Sequence, residues 1–460
     1  MKNFSFYLVT DPHHYDSSFK STGSAYEERS RTDQKCVAET PAIIDAGFAQ
    51  IADDKDTDTV LIAGDLVYRG EYQSHVGFRE KLYKLRENGK KIYLITARHD
   101  YAENPIEFDG DKTIPVKGME RDELRDFYRE FGFDGAVSEH RESMSYVAQL
   151  ADGIRLLALN CDGDCKDFKG IWDEQMDWAL EQIREARKSE NYIFAMTHYP
   201  LLPFSPIMHL IGDAKLTNWQ ATADKLADAG VDLIFTGHMH AQAVTEYTSP
   251  LGNTVTDVQT GCFVGCPCAY RKVSFKENNT VADIKSYTIE DFDYDKGGKT
   301  AQEYFQWRFD RLITDMLDAM AYDFDRFSGL FGGPEKNKKL KKPITAVGKL
   351  LQKLTLKQLG RMFCFRVDKS IENKLVKDVG VELVRNIFVG NEPYVKGTPM
   401  YEAMAKLLKR LHPVTHIIEK KAGGKNPPLA DIDAFVLSMI GDEKQRDYDA
   451  VIEINRRSAE

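Results

Sequence analysis

Residues 4–14 read Phe-Ser-Phe-Tyr-Leu-Val-Thr-Asp-Pro-His-His, a short β-rich apolar run that breaks into an acid, a proline and two imidazoles. The run predicts a strand over Phe4–Thr10 and sets Asp11 and His13 just past its carboxyl end. The same punctuation recurs down the chain. Strands are expected over Thr59–Ala63, Lys91–Thr96, Ile154–Asn160, Tyr192–Thr197 and Leu233–Thr236. Asp65, His99 with Asp100, His198, and His238 with His240 each follow one of them. Helical periodicity over Tyr72–Glu87, Arg121–Phe131, Asp173–Lys188 and Asn218–Ala229 alternates with these runs, which marks an α/β architecture. Open α/β sheets place ligands at strand carboxyl ends, where these acids and histidines fall.

The pattern changes further on. Ala243–Tyr247, Val255–Gln259, Arg271–Phe275 and Val281–Tyr287 follow one another closely, as antiparallel strands do. From about Lys299 the chain turns helical, with helices expected over Tyr304–Phe324, Ile344–Leu354, Lys374–Phe388, Met400–Leu411 and Asp442–Arg456. We therefore expect a catalytic domain over 1–295 and a helical C-terminal domain over 299–460, divided near Lys296-Gly297-Gly298. At 460 residues the chain is long enough for both.

A formal net charge of -10 gives no overall attraction for long nucleic acid and leaves a small or local phosphate substrate open. No segment approaches the roughly 20 apolar residues of a membrane span, and residues 1–14 carry no cleavage site, so a cytoplasmic location is expected. Oligomeric state is not legible. Seven cysteines fit free thiols; neither Cys262, Cys266 and Cys268 nor Cys161 and Cys165 has the paired spacing of a structural zinc site. The lysine-rich Lys336–Lys342 reads as a solvated loop.

One histidine after a strand is ordinarily structural, but several along one edge call for another explanation. Carboxylate mixed with imidazole suits manganese, iron or zinc rather than calcium. Asp11 and His13 can share one ion across a tight turn. His238 and His240, from an irregular loop, can reach two ions, and Asp65 is the candidate bridge between them.

In order, Asp11-Pro12-His13, Gly64-Asp65, Arg98-His99-Asp100, Thr197-His198 and Gly237-His238-Met239-His240 resemble the calcineurin-like metallophosphoesterase family. The resemblance implies a four-layer α/β/β/α sandwich and two divalent metals. It assigns the first to Asp11, His13, Asp65 and His240, and the second to Asp65, His198 and His238. It also implies His99, with Asp100, as catalytic. Thr260-Gly261 and Pro267-Cys268-Ala269-Tyr270-Arg271 look like a subgroup related to cyclic-nucleotide phosphodiesterases.

Two positions depart from the family pattern. Arg98 stands where the family has an asparagine ligand of the second metal, and a guanidinium offers no lone pair, so that metal is expected to bind weakly. Tyr68 replaces the second acid of the protein phosphatase branch, which argues against a protein phosphatase. Arg69 and Arg98 are candidate phosphate contacts. His14 is expected to be solvent-exposed or to support the ligands from behind, and His75, His140, His209, His412 and His416 to be structural. The expected function is hydrolysis of a small-molecule phosphodiester by metal-activated water with His99 as general acid. The alternatives are a nuclease, disfavoured by acidity, and a phosphate-binding protein with a degraded second site.

Overall fold

The structure is a computed structural model that describes residues 4–162, 168–209, 214–276, 279–329, 333–338, 341–422 and 427–454. Three parallel strands come first, β1 (Ser5–Val9), β2 (Thr59–Ala63) and β3 (Lys91–Ile95), followed by a detached hairpin of β4 (Ile106–Asp109) and β5 (Lys112–Pro115). A second sheet takes β6 (Ser138–His140), β7 (Ser145–Ala151), β8 (Ile154–Ala158), β9 (Tyr192–Met196), β10 (Leu233–Thr236), β11 (Ala243–Thr248) and β12 (Thr254–Gln259). The chain then returns to the first sheet as β13 (Ala269–Lys276), β14 (Val281–Thr288) and β15 (Ala450–Glu453). The orders are β15-β14-β13-β1-β2-β3 and β11-β12-β10-β9-β8-β7-β6.

β9 shows why these sheets stack. It is buried throughout, and its alternate residues enter different cores: Phe194 and Met196 join the core shared by the two sheets, Ile193 and Ala195 the core under helices Asp173–Lys188 and Trp219–Ala229. A period of two in a strand covered on both faces requires that. Between the sheets Phe6 stacks on Phe194 at 5.2 Å and meets Phe235 edge-on at 5.3 Å. Helices Thr40–Asp53 and Tyr72–Glu87 add Ile44, Phe48, Phe78 and Leu82 to the same cluster from beyond the first sheet. The result is the four-layer α/β/β/α sandwich with a helical C-terminal region.

Helix Ala301–Tyr322, capped by Thr300 and Glu303, sends Phe305, Phe309 and Ile313 into the main core. Beyond it, Leu356, Leu359, Val367, Val379 and Met400 build a small core of their own.

Two expectations are corrected. Asp442–Arg456 is not a helix: Ala450, Ile452 and Ile454 are buried in alternation with exposed Val451 and Glu453, and the segment pairs antiparallel with β14. Its period is two, and Arg456 lies outside the described residues. The strands after residue 243 are not one meander either, because β12 runs parallel to β10 in the second sheet while β13 lies in the first. Cys165 and part of Lys336–Lys342 also lie outside the described residues. No described helix is long and apolar enough to cross a membrane.

Candidate metal centre

The carboxyl ends of β1, β2, β9 and β10 meet at one rim, and there the chain turns sharply. Asp11, His13, Asp65, His238 and His240 all take left-handed backbone, with φ of 53°, 39°, 51°, 71° and 58°. Such conformations are costly for non-glycine residues and persist where surrounding contacts impose them. Here the Asp11 amide donates to Gly64 O (3.2 Å) and the His13 amide to Asp65 O (3.0 Å). Gly237 permits the close approach, since a Cβ there would lie 2.6 Å from Asp11 Oδ2.

The six ligand candidates converge. His13 Nε2 and His240 Nε2 are 3.1 Å apart, and Asp11 Oδ1 lies 3.3 Å from His240 Nε2 and 3.7 Å from His13 Nε2. Asp65 Oδ2 lies 3.7 Å from His13 Nε2 and 3.1 Å from His198 Nε2. Asp11, His13 and Asp65 form one group with donor atoms within 4.8 Å, and Asp65, His198 and His238 another. Asp65 belongs to both, as a bridge would.

The carboxylates also hold the loops. Asp11 Oδ2 accepts from the His238 amide (3.0 Å), and Asp65 Oδ1 from the His99 amide (3.1 Å). His198 Nδ1 donates to Ala63 O (2.7 Å) and His240 Nδ1 to Gln34 Oε1 (2.9 Å), so in each ring Nε2 is the nitrogen that faces the cluster. The His238 ring lies against Tyr199, with centroids 4.1 Å apart.

Electrostatics match this packing. Burial would raise Asp11 and Asp65, but neighbouring imidazoles outweigh it and hold both well below the usual carboxylate range. Burial would lower His198, but the Asp65 and Asp11 carboxylates raise it to about 10. Burial, with Lys35 nearby, pushes His13 down to about 3.

Asp11 Oδ1 is fully buried with no hydrogen-bond partner, an expensive state for a carboxylate oxygen unless a cation fills the gap. The donor set therefore fits two ions.

The remaining candidates sit around this cluster. His99 Nδ1 donates to Tyr68 O (2.9 Å), and its Nε2 lies 4.0 Å from Asp65 Oδ2. Asp100 is buried, its oxygens accepting from the Val67 (3.0 Å) and Ala97 (2.7 Å) amides, and burial together with the Asp65 charge holds its carboxyl well above the usual range. Arg69 and Arg98 converge on Glu103, at 3.0 and 3.6 Å. His14 is buried, with Nε2 3.7 Å from Asp16 Oδ2, and His75 is buried between Tyr128 Oη and Asp100 O, both at 2.8 Å.

The profile of the calcineurin-like phosphoesterases matches residues 4–242, just over half of the chain. The chain belongs to this family. Metal-dependent hydrolysis of phosphoesters is the family's chemistry, and the two groups sharing Asp65 are candidate ligand clusters for it.

No curated protein matches the chain. Among solved structures it is similar to a dimetal phosphatase from Danio rerio at 12% identity and TM-score 0.45, over 62% of this chain and 95% of that one. It is also similar to a purple acid phosphatase from yellow lupin, Lupinus luteus, at 13% identity and TM-score 0.43, over 63% of this chain and 52% of that one. A third is an NAD nucleotidase from Haemophilus influenzae, at 14% identity and TM-score 0.36, over 77% of this chain and 61% of that one.

Residues without motif context also enter the site. Gln34 braces His240, and Cys262 joins His13 and His240 in a third group of donors within 4.8 Å. Lys35 lies beside Tyr68, its Nζ 5.5 Å from the ring centre and 3.7 Å from Asp33 Oδ1. Gln34 and Lys35 come from a connection with no recognisable spacing, and Cys262 drew notice only within the Cys262, Cys266 and Cys268 cluster, whose spacing pointed to free thiols.

Proposed function

We propose that this phosphoesterase cleaves a small-molecule phosphodiester, with manganese, iron or zinc in the centre and His99 as the general acid. The observation that carries the reading is the setting of His99. Its Nδ1 proton is committed to the Tyr68 carbonyl, which leaves Nε2 turned to the side of Asp65 where substrate phosphorus would sit. In a branch that uses an acid at position 68 a carboxylate would orient this imidazole; here a main-chain carbonyl does so.

When bound, the two ions supply an activated water for attack on phosphorus and charge for the phosphoryl oxygens. Asp11, His13, Asp65 and His240 would hold one ion; Asp65, His198 and His238 the other. His99 acts as acid in its imidazolium form, with Nδ1–H on Tyr68 O and the Nε2 proton passing to the departing alkoxide; burial lowers its pKa, which favours that release. Asp100 acts as a positioning residue, tying the loop before His99 to the one after Asp65. Arg69 and Arg98, gathered on Glu103 at the edge, are the proposed phosphate contacts. The domain division stays part of the proposal, with 1–295 as the catalytic domain and 299–460 as an added part flanking it.

The test is turnover of an aryl phosphodiester with added manganese, by the wild type and by His99→Ala. The variant should keep its metal and lose about 10²–10⁴-fold in rate on esters with poor leaving groups, less on an activated aryl ester. Equal losses across leaving groups would remove His99 from the acid role, and a wild type that turns over no ester would remove the catalytic reading.

A further inference from the structure

Cys262 follows β12, which runs parallel to β10, so its loop lies beside the one that carries His238 and His240. Its position is pinned. Thr10 Oγ1 donates to the carbonyls of Thr260 and Gly261, both at 3.1 Å, and the Phe263 amide donates to Thr10 O at 3.0 Å. Cys262 is thus locked against the end of β1, next to Asp11, with no exposed surface. Its thiol donates to Asp11 O at 3.2 Å, and its sulfur lies within 4.8 Å of donor nitrogens of both His13 and His240.

We propose that Cys262 is a ligand of the first metal, which makes that site a mixed oxygen, nitrogen and sulfur site that prefers zinc or ferrous iron to manganese.

Sulfur and nitrogen on one tetrahedral ion, at bond lengths near 2.3 and 2.05 Å, stand roughly 3.6 Å apart. The Cys262 sulfur lies within 4.8 Å of both nitrogens, so ligation requires it to leave the Asp11 carbonyl and move toward them. A second observation points to the same spot. Asp11 Oδ1, buried and without a hydrogen-bond partner, stands 3.3 Å from His240 Nε2, so the histidines grouped with the Cys262 sulfur also border an unpaired carboxylate oxygen.

Ligation breaks the S–H bond and forms a metal–sulfur bond, the proton leaves to solvent, and no oxidant or reductant is needed. A thiolate among the donors shifts preference toward softer ions. The other buried thiols nearby, Cys36, Cys266 and Cys268, share no such group with histidines.

The proposal rests on the metal-centre reading and not on which ester is cleaved. Full-length protein, stripped of metal and reloaded with cobalt, should show near-ultraviolet thiolate-to-metal charge-transfer absorption that Cys262→Ser lacks. Zinc affinity should fall at least tenfold in that variant, with manganese affinity nearly unchanged. Should the variant fail to fold, X-ray absorption of the zinc-loaded wild type serves: one sulfur at about 2.3 Å is expected. Cobalt bound without the sulfur band, an identical spectrum in the variant, or no sulfur around zinc overturns the ligand and leaves the centre standing. Wild-type protein that takes up no cobalt overturns both.

Discussion

Around His13 and His240 the centre is crowded: Asp11 and Asp65 supply oxygen, Cys262 stands within ligand spacing, and Gln34 fixes the His240 ring. Around His198 and His238 it is sparse. There Asp65 is the one carboxylate of the ligand group, Tyr199 supports His238 by ring contact, and Arg98 occupies the place of an amide ligand while reaching toward Glu103. Each half is made of residues after strands, yet the two differ by at least one donor. Affinity follows the number and charge of donors, so one tight site beside one loose site is expected, and Asp65 is what keeps the loose one attached.

Asp65→Asn should do the most damage, because it removes one of two carboxylates from the crowded half and the one carboxylate of the sparse half. Metal per chain should fall from near two toward none. Turnover should fall well beyond the 10–100-fold typical of losing an outer partner of a ligand. Elemental analysis of the purified variant decides it, and undiminished metal excludes the bridge.

Arg98→Asn addresses the asymmetry directly. It removes a permanent positive charge from beside the second site and restores an amide oxygen as a donor. Metal at that site should tighten about tenfold, read as a lower metal concentration for half-maximal activity, while the first site stays unchanged. If the guanidinium also contacts a phosphoryl oxygen, turnover at saturating metal falls together with that gain. Unchanged metal dependence means that the missing amide does not cause the looseness.

Much of this was legible in the sequence because open sheets concentrate chemistry at strand ends. Asp11, Asp65, His198 and His238 each follow a short apolar run, and continuous apolar runs such as β9, buried on both faces, made the strands visible. What was not legible depends on pairing between distant segments. Gln34 reaches His240 across 206 residues, and β15 pairs with β14 across more than 160. A neutral glutamine in a connection, or four alternating residues near residue 450, carries no local sign of such a partner. Helix Thr40–Asp53 went unread for a related reason. Its seven buried residues follow the three- and four-residue spacing of one helical face, but Ala42, Ala46 and Ala49 on the other faces blur that stripe in the sequence.

Asp257 offers the finest test of the comparison, because its contacts fall nearest His198 and His238. From β12 it accepts Thr236 Oγ1 (2.6 Å), two residues before His238, and the Leu202 amide (2.9 Å), four residues after His198. It is fully buried with no positive partner, and burial pushes its carboxyl up to about 7. The ordinary value is near 4, so between those limits the folded chain holds one proton more than the unfolded chain. The corresponding stability is complete below about pH 4 and is lost as pH rises toward 7, at roughly 1.4 kcal/mol per unit. Asp257→Asn keeps an acceptor and a similar shape but cannot ionise. Thermal melts between pH 5 and 8 should show a flatter decline for the variant up to about 7 and parallel curves above it, with metal content unchanged at both sites. Curves parallel throughout would mean that Asp257 is already ionised in the folded protein. The sparse half would then be held through a buried charge, and its looseness would no longer follow from donor count alone.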